Sequence, residues 1–351
     1  MRKILSSLAC IVAALSLWPS PANAATTTAP TATTKAPDYI ALTQAALKGD
    51  DQALTQLQSA ANSGDANAQF YLGKYYQSSK QYATAFNWLQ KSAEQGNAGG
   101  EDSLGDLYAL GLGTQQDYTQ AFNWVQKAAE HGIADAENFV GILYANGLGT
   151  KRDYSLAFNW LQKAAEQGNA DGEYNFGIAY VKGQGTPQNY SQAFKWFQKA
   201  AEQGYLSAEY ILAVFYAQGQ GTQQDFTQAF NWFQKAADQG DVVAEFDLGR
   251  LYANGRGTKQ DFTQAFYWFQ KAAYQGDADA ENFLGTLFAQ GQGTQQDYTQ
   301  AFNWFQLAAE QGNANACQNL SYMYSHGQGV TADQQTAQYW ADEAKKFGSG
   351  N

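Results

Sequence analysis

The sequence predicts an all-α repeat array, on three observations. Tryptophan recurs every 36 residues, at Trp88, Trp124, Trp160, Trp196, Trp232, Trp268, Trp304 and Trp340. Glycine keeps the same interval at Gly96, Gly132, Gly168, Gly204, Gly240, Gly276 and Gly312, and Gly348 ends the last copy. Between these marks each copy carries two stretches whose apolar residues fall at helical spacing. A fixed period of this length belongs to proteins in which each unit covers its apolar face only against its neighbours.

From the N-terminus, Arg2 and Lys3 give a basic start, Ile4 to Trp18 an apolar stretch, and Ala22-Asn23-Ala24 a small-x-small cleavage pattern. Residues 1–24 are therefore expected to be a signal peptide, cleaved after Ala24, and the protein to be exported, periplasmic or secreted. Residues 25–37 are a low-complexity run of Thr, Ala and Pro that cannot form a core, and read as a disordered tether. Residues 38–64 hold two helical runs, one with Ile40, Leu42, Ala45, Ala46 and Leu47, the other with Ala53, Leu54, Leu57, Ala60 and Ala61, parted at Gly49-Asp50. Without the tryptophan, they are expected to be a helix pair that caps the N-terminal end.

Eight units follow, over 65–96, 97–132, 133–168, 169–204, 205–240, 241–276, 277–312 and 313–348. In the sixth, Ala244, Leu248, Leu251 and Tyr252 mark the apolar face of a first helix, which Gly255-Arg256-Gly257-Thr258 should stop near Asn254. Asp261 can cap the second helix, and Gln264 three residues later completes a capping-box pattern. The same pair recurs at Asp117/Gln120, Asp225/Gln228 and Asp297/Gln300. The second helix then runs to the closing glycine, which tolerates a left-handed turn. Gly105, Gly141, Gly177, Gly249 and Gly285 sit inside first helices, where glycine costs about 1 kcal/mol against alanine, so close approach of the second helix is expected there. The tryptophan is expected to be the large buried counterpart, favouring folding by on the order of 4–6 kcal/mol per ring.

Two units depart from the pattern. The first replaces the Gly-x-Gly-Thr loop by the shorter Gln77-Ser78-Ser79-Lys80-Gln81, and the eighth carries Gln338, Asp342, Glu343, Lys345 and Lys346 on a more polar second helix, as suits a terminal unit.

Composition narrows the function. A net charge of −11 and a pI near 4.6, with no stripe of Lys or Arg, exclude nucleic acid as partner. No apolar run after the first is long enough for stable membrane insertion. Cys317 is left without an intramolecular partner once Cys10 departs with the signal, and reads as a small buried apolar side chain. His131 and His326 are far apart in sequence and read as solvated residues at helix ends; no Cys or His pair has zinc spacing. Gly111-Leu112-Gly113-Thr114 lacks the Gly-Lys-Ser/Thr ending of a phosphate loop and follows a helix rather than a strand. Glu101, Glu137, Glu173, Glu209, Glu245 and Glu281 share one slot early in the first helix, where a carboxylate favours the positive helix end. Sixfold repetition indicates a structural role, whereas a catalytic pair would break the symmetry at one place. No catalytic residue, metal or cofactor is expected.

The sixth unit carries the fullest motif: Ala244, Leu248, Gly249, Tyr252, Gly255, Gly257, Asp261, Ala265, Trp268, Lys271, Ala272, Ala273 and Gly276. In these residues the chain resembles the Sel-1-like repeat family, a relative of the tetratricopeptide repeats, over most of its length. The resemblance implies a right-handed α-solenoid superhelix of antiparallel helix pairs, its first helices lining the concave side, used as an adaptor for proteins or peptides. Exported bacterial members act in envelope assembly or host interaction. The branch associated with β-lactam binding is rich in paired cysteines, and those pairs are missing here.

Second helices are nearly copied from unit to unit; first helices vary. Two residues before the recurrent apolar position stand Phe70, Asp102, Asn138, Tyr174, Tyr210, Phe246, Asn282 and Gln318, and two after it Lys74, Asp106, Ile142, Ile178, Val214, Arg250, Thr286 and Tyr322. Both slots lie near one helix face, the face such families turn inward. Phe70, Tyr174, Lys182, Tyr210, Phe246, Arg250 and Tyr322 are the candidate partner-binding residues, with Tyr174, Tyr210 and Phe246 as adjacent aromatic anchors and Arg250 the nearest cation. The alternative for these rings is packing between units. The expected function is a non-enzymatic scaffold holding a protein or peptide; the alternatives are a hydrolase acting on cell-wall or β-lactam substrates and a glycan-binding module.

Overall fold

The computed structural model describes residues 38–348. The expected signal peptide and tether lie outside the described residues. Within them the chain forms eighteen helices and no strand. Helices α1 (Tyr39–Leu47) and α2 (Asp51–Asn62) precede the first unit. Each unit then holds a first and a second helix: α3 (Ala66–Ser78) and α4 (Tyr82–Glu94), α5 (Ala98–Leu110) and α6 (Tyr118–Glu130), α7 (Ala134–Asn146) and α8 (Tyr154–Glu166), α9 (Ala170–Lys182) and α10 (Tyr190–Glu202). The series continues with α11 (Leu206–Gln218) and α12 (Phe226–Asp238), α13 (Val242–Asn254) and α14 (Phe262–Tyr274), α15 (Ala278–Gln290) and α16 (Tyr298–Glu310), α17 (Ala314–His326) and α18 (Gln334–Gly348). Each second helix packs back on the first helix of its own unit and, but for the last, forward on the first helix of the next, which makes the fold an all-α solenoid.

Local chemistry sets the helix limits. First helices from α5 onward end on a glycine in the left-handed region, as Asn254 is followed by Gly255 at φ 62°. Gly257, at φ 73°, is required twice over, because a Cβ there would strike the carbonyl oxygen of Phe226 at the start of the preceding second helix. In the shorter first loop Lys80 takes the left-handed turn, at φ 57°. Most second helices are capped by aspartate, Asp225 Oδ1 accepting from the N–H groups of Thr227 and Gln228 at 2.9 and 3.0 Å, while Asn189 takes that place in the fourth unit and Gln81, with no side-chain bond, in the first. Here the capping-box expectation is corrected. The N–H of Asp225 donates to the carbonyl of Tyr216 at 2.9 Å, and those of Asp117, Asp261 and Asp297 make the same bond back to the first helix. The reciprocal place of the glutamine side chain is therefore already taken by the turn between the helices.

A second correction concerns the interior. The large residue opposite the helical glycines is not the tryptophan but its successor: a Cβ on Gly177 would lie 2.7 Å from Phe197 Cε1, on Gly249 2.8 Å from Phe269 Cδ1, and on Gly141 2.7 Å from Leu161 Cγ. Phe197 and Phe269 are fully buried. Of the tryptophans among the described residues only Trp268 is buried, at 5% exposure. The other seven repeat tryptophans lie half-buried along the seam, and at Trp88, Trp124, Trp160, Trp196 and Trp232 the lysine three residues on covers the ring, at 3.8 Å from its centroid for Lys235 over Trp232 and 3.9 Å for Lys199 over Trp196. Each of these five rings thus combines partial apolar burial with a cation–π contact, and contributes less than full burial would.

Candidate binding surface

The two variable slots of the first helices do share a face, and in several units they join one first helix to the next. Asn175 Nδ2 donates to Asn138 Oδ1 at 2.9 Å, Asn319 Nδ2 to Asn282 Oδ1 at 2.9 Å, and the Tyr210 hydroxyl to Asp247 Oδ2 at 3.4 Å. Such pairing uses up some of the side chains that sequence marks as variable.

Tyr174 is the clearest case, and its place as an exposed anchor is corrected. It is 5% exposed, with its ring 5.7 Å from Phe197 and 5.1 Å from Tyr205. Its hydroxyl is buried without a hydrogen-bond partner, and burial pushes its pKa above the ordinary phenol range. The residue opposite it in the next unit is Ile211, which offers no acceptor side chain. Tyr174 packs units together.

Tyr210, Phe246 and Arg250 are brought together. Tyr210 is half-buried against Phe233, 5.7 Å between centroids, and burial with the nearby Asp247 carboxylate raises its pKa. Phe246 is half-buried between Phe269 and Phe283, at 5.7 and 5.6 Å. Arg250 is exposed; its Nη1 stands 3.1 Å from Asp247 Oδ1 and its guanidinium 5.6 Å from the Phe246 ring centre. Asp247 thus ties the tyrosine of one unit to the cation of the next. Burial pushes its carboxyl up, and Arg250 holds it down.

The remaining candidates stand apart. Phe70 is half-buried edge-on to Tyr71 at 4.9 Å, beneath Gly99. Lys182 closes α9 and is exposed, with desolvation lowering its pKa. Tyr322 is 53% exposed and stacked on His326 at 4.1 Å, on the last first helix.

Sequence reasoning missed Asp247 and Phe283, the latter 39% exposed beside Phe246. A signal existed: the slot just before the recurrent apolar residue also refuses to repeat, running Tyr71, Ser103, Phe139, Asn175, Ile211, Asp247, Phe283 and Asn319. Also missed was an acidic stretch on α5. Asp102 and Asp106 are half-buried one turn apart, and burial pushes both carboxyls up, Asp106 to about 6. Asp106 and Asp135 add like-charge repulsion at Asp102, while Lys74 counteracts it. Among the described residues no group of three or more His, Cys, Asp or Glu side chains could hold a metal ion, and no helix is long and apolar enough to cross a membrane.

Comparison with known proteins places these features in a family. The model of the Sel1 repeat matches eight times, over residues 66–97, 102–133, 134–169, 170–205, 206–241, 242–277, 278–313 and 314–346. Among solved structures, a protective antigen present in uropathogenic Escherichia coli strains, displaying an SLR fold, is 35% identical with a TM-score of 0.81, covering 84% of this chain. The alignment spans 64% of that protein's own length. A Sel1 repeat protein from Oxalobacter formigenes is 33% identical with a TM-score of 0.59, over 70% of this chain and 96% of the other. No curated protein matches the chain.

Proposed function

This chain belongs to the Sel1 repeat family, a repeat scaffold of the kind typical of protein–protein interaction, and we propose that it is an exported, non-enzymatic adaptor holding a protein or peptide on the concave face formed by its first helices. The observation that carries the reading is the cluster of Tyr210, Phe246, Phe283 and Arg250. Large rings are left partly in water beside a guanidinium, on a face where other variable side chains, such as Asn138 and Asn282, pair with the next unit. Aromatic and arginine side chains are the usual sources of interface energy, because they bury much area with few rotors. Asp247 orients Arg250 over Phe246, so the cluster is preorganised and loses little entropy on binding.

Export rests on the pattern of residues 1–24, and the similarity to a protein described as a protective antigen supports a site of action outside the cytoplasm. In this reading Lys182 and Tyr322 extend the contact along the face, while Tyr174 supplies rigidity. The buried first-turn glutamates Glu137, Glu173, Glu209, Glu245 and Glu281, each held by a glutamine of the second helix, are structural.

The test uses the chain beginning at Ala25 as bait, with cross-linked pull-down from envelope extract and, separately, from host-cell lysate. Combined substitution of Phe246, Phe283 and Arg250 by alanine should reduce capture of the specific partner by about 100-fold or more, as loss of an interface centre does. Circular dichroism should show the helical signal retained. Arg250→Glu alone, an exposed change, should lower capture even if the triple variant unfolds. Undiminished capture by the folded variants, or recovery of the native protein only from the cytoplasm with residues 1–24 intact, overturns the proposal.

A further inference from the structure

The first-turn glutamates are held by a contact repeated along the array, and it fails in one unit. Glu101, Glu137, Glu173, Glu209, Glu245 and Glu281 are all buried. In five of these units the glutamine thirty positions on donates its Nε2 to the carboxylate: Gln167 to Glu137 at 2.6 Å, Gln203 to Glu173 at 2.8 Å, Gln239 to Glu209 at 2.6 Å, Gln275 to Glu245 at 2.8 Å and Gln311 to Glu281 at 2.9 Å. The second unit has His131 in that place, with Nε2 3.5 Å from Glu101 Oε2, beyond hydrogen-bond reach. Glu101 is 3% exposed, and its Oε2 has no hydrogen-bond donor. A buried oxygen left in this state is strongly disfavoured unless something supplies the missing N–H.

The unmatched carboxylate faces a cavity of about 480 Å³, lined also by Glu94, Trp124, Lys127, Glu130 and His131. It is an open groove, with Glu94, Lys127, Glu130 and His131 exposed around the buried Glu101. Three carboxylates meet one ammonium there, and Lys127 already lies on the Trp124 ring, 3.9 Å from its centroid. The helices α4 and α6 end at Glu94 and Glu130, so their negative ends add to the field. Burial raises the Glu101 carboxyl, partly offset by His131 and Lys127. The surroundings call for a cation with N–H donors.

We propose that this cavity, between α4, α5 and α6, receives a guanidinium or primary ammonium group whose N–H donates to Glu101 where the other units use glutamine. The site involves none of the first-helix cluster and stands independently of it. His131 faces Glu101 alongside Lys127 and Glu130 from α6 and Glu94 from α4. Burial holds the Glu101 carboxyl above its ordinary value, so acid that protonates it weakens binding.

The chain has two histidines, His131 and His326, which makes imidazole NMR a selective readout. Agmatine, added to the purified chain up to about 10 mM, a range that detects even weak specific binding, should shift the His131 ring signals saturably and leave those of His326 in place. His131→Gln restores the contact of the sister units; it should weaken agmatine binding by about tenfold or more, measured by calorimetry, with a melting temperature equal to or above that of the native chain. Glu101→Gln should do likewise. A blocked arginine dipeptide run in parallel separates a free small cation from the side chain of a protein: binding of agmatine alone assigns the site to the former, and binding of both admits the latter. Absence of a saturable shift, an equal response to sodium chloride at matched ionic strength, or unchanged affinity in His131→Gln overturns the proposal.

Discussion

Asp106 shows how a single residue on the first-helix face sets a property of the fold. Burial raises its carboxyl from 3.8 to about 6, against the pull of the Lys74 ammonium, with a smaller upward push from Asp135. A pKa raised in the folded state favours folding below the unfolded value and loses that contribution as the pH rises through the folded one. The chain should therefore lose stability between about pH 4 and pH 7 from this group, with Asp102 acting in the same direction. Asp106→Asn should be more stable than the native chain at pH 8 by about 1–3 kcal/mol, and equal to it near pH 4, in paired thermal melts. A variant less stable at pH 8 would show that the ionised carboxylate is a net asset. Tyr174 teaches the complementary lesson. Its place in a variable slot was legible in the sequence, but its burial depends on Phe197 and Tyr205 closing over it.

At the scale of elements, turns do more than end helices. Gly257 holds a left-handed conformation with its α-carbon against the carbonyl of Phe226, so the loop of one unit rests on the second helix of the unit before. Gly257→Ala meets both a dihedral penalty and a backbone collision that no rotamer change relieves. It should cost about 2–4 kcal/mol in denaturant titrations. A loss below about 0.5 kcal/mol, the level of an indifferent surface change, would mean that the loop is free to lift away. Helix limits were largely readable in advance, because the capping aspartates and stopping glycines act on their own backbone. The error over the capping box arose where local reasoning ended: the N–H of Asp225 had already been claimed by Tyr216 across the turn. Size alone likewise points the tryptophan inward, whereas the residue after it is the one that faces the helical glycine.

For the molecule as a whole, nearest-neighbour packing makes the unit exchangeable. Each second helix but the last touches its own and the following first helix, so excision of residues 205–240 joins Gly204 to Asp241 with every face still covered. The shortened chain should keep its helical content per residue and melt in one transition, with a stability lower by roughly the share of one of eight units. Excision of 18 residues, half a unit, should leave an apolar face bare and cause aggregation. A whole-unit deletion that collapses would show that distant units cooperate.

Repeat length, helix limits and the variable first-helix slots are written in the chain itself, since they follow from periodicity, capping and glycine dihedrals that act over a few residues. Exposure of the variable side chains is decided only when the units stack, because each is covered or left open by partners about 30 to 37 positions away, as Tyr205 covers Tyr174 and Asp247 engages Tyr210. The vacant place beside Glu101 has the same origin: a histidine in the sequence becomes a missing hydrogen bond only once α6 brings His131 to within 3.5 Å of a buried carboxylate.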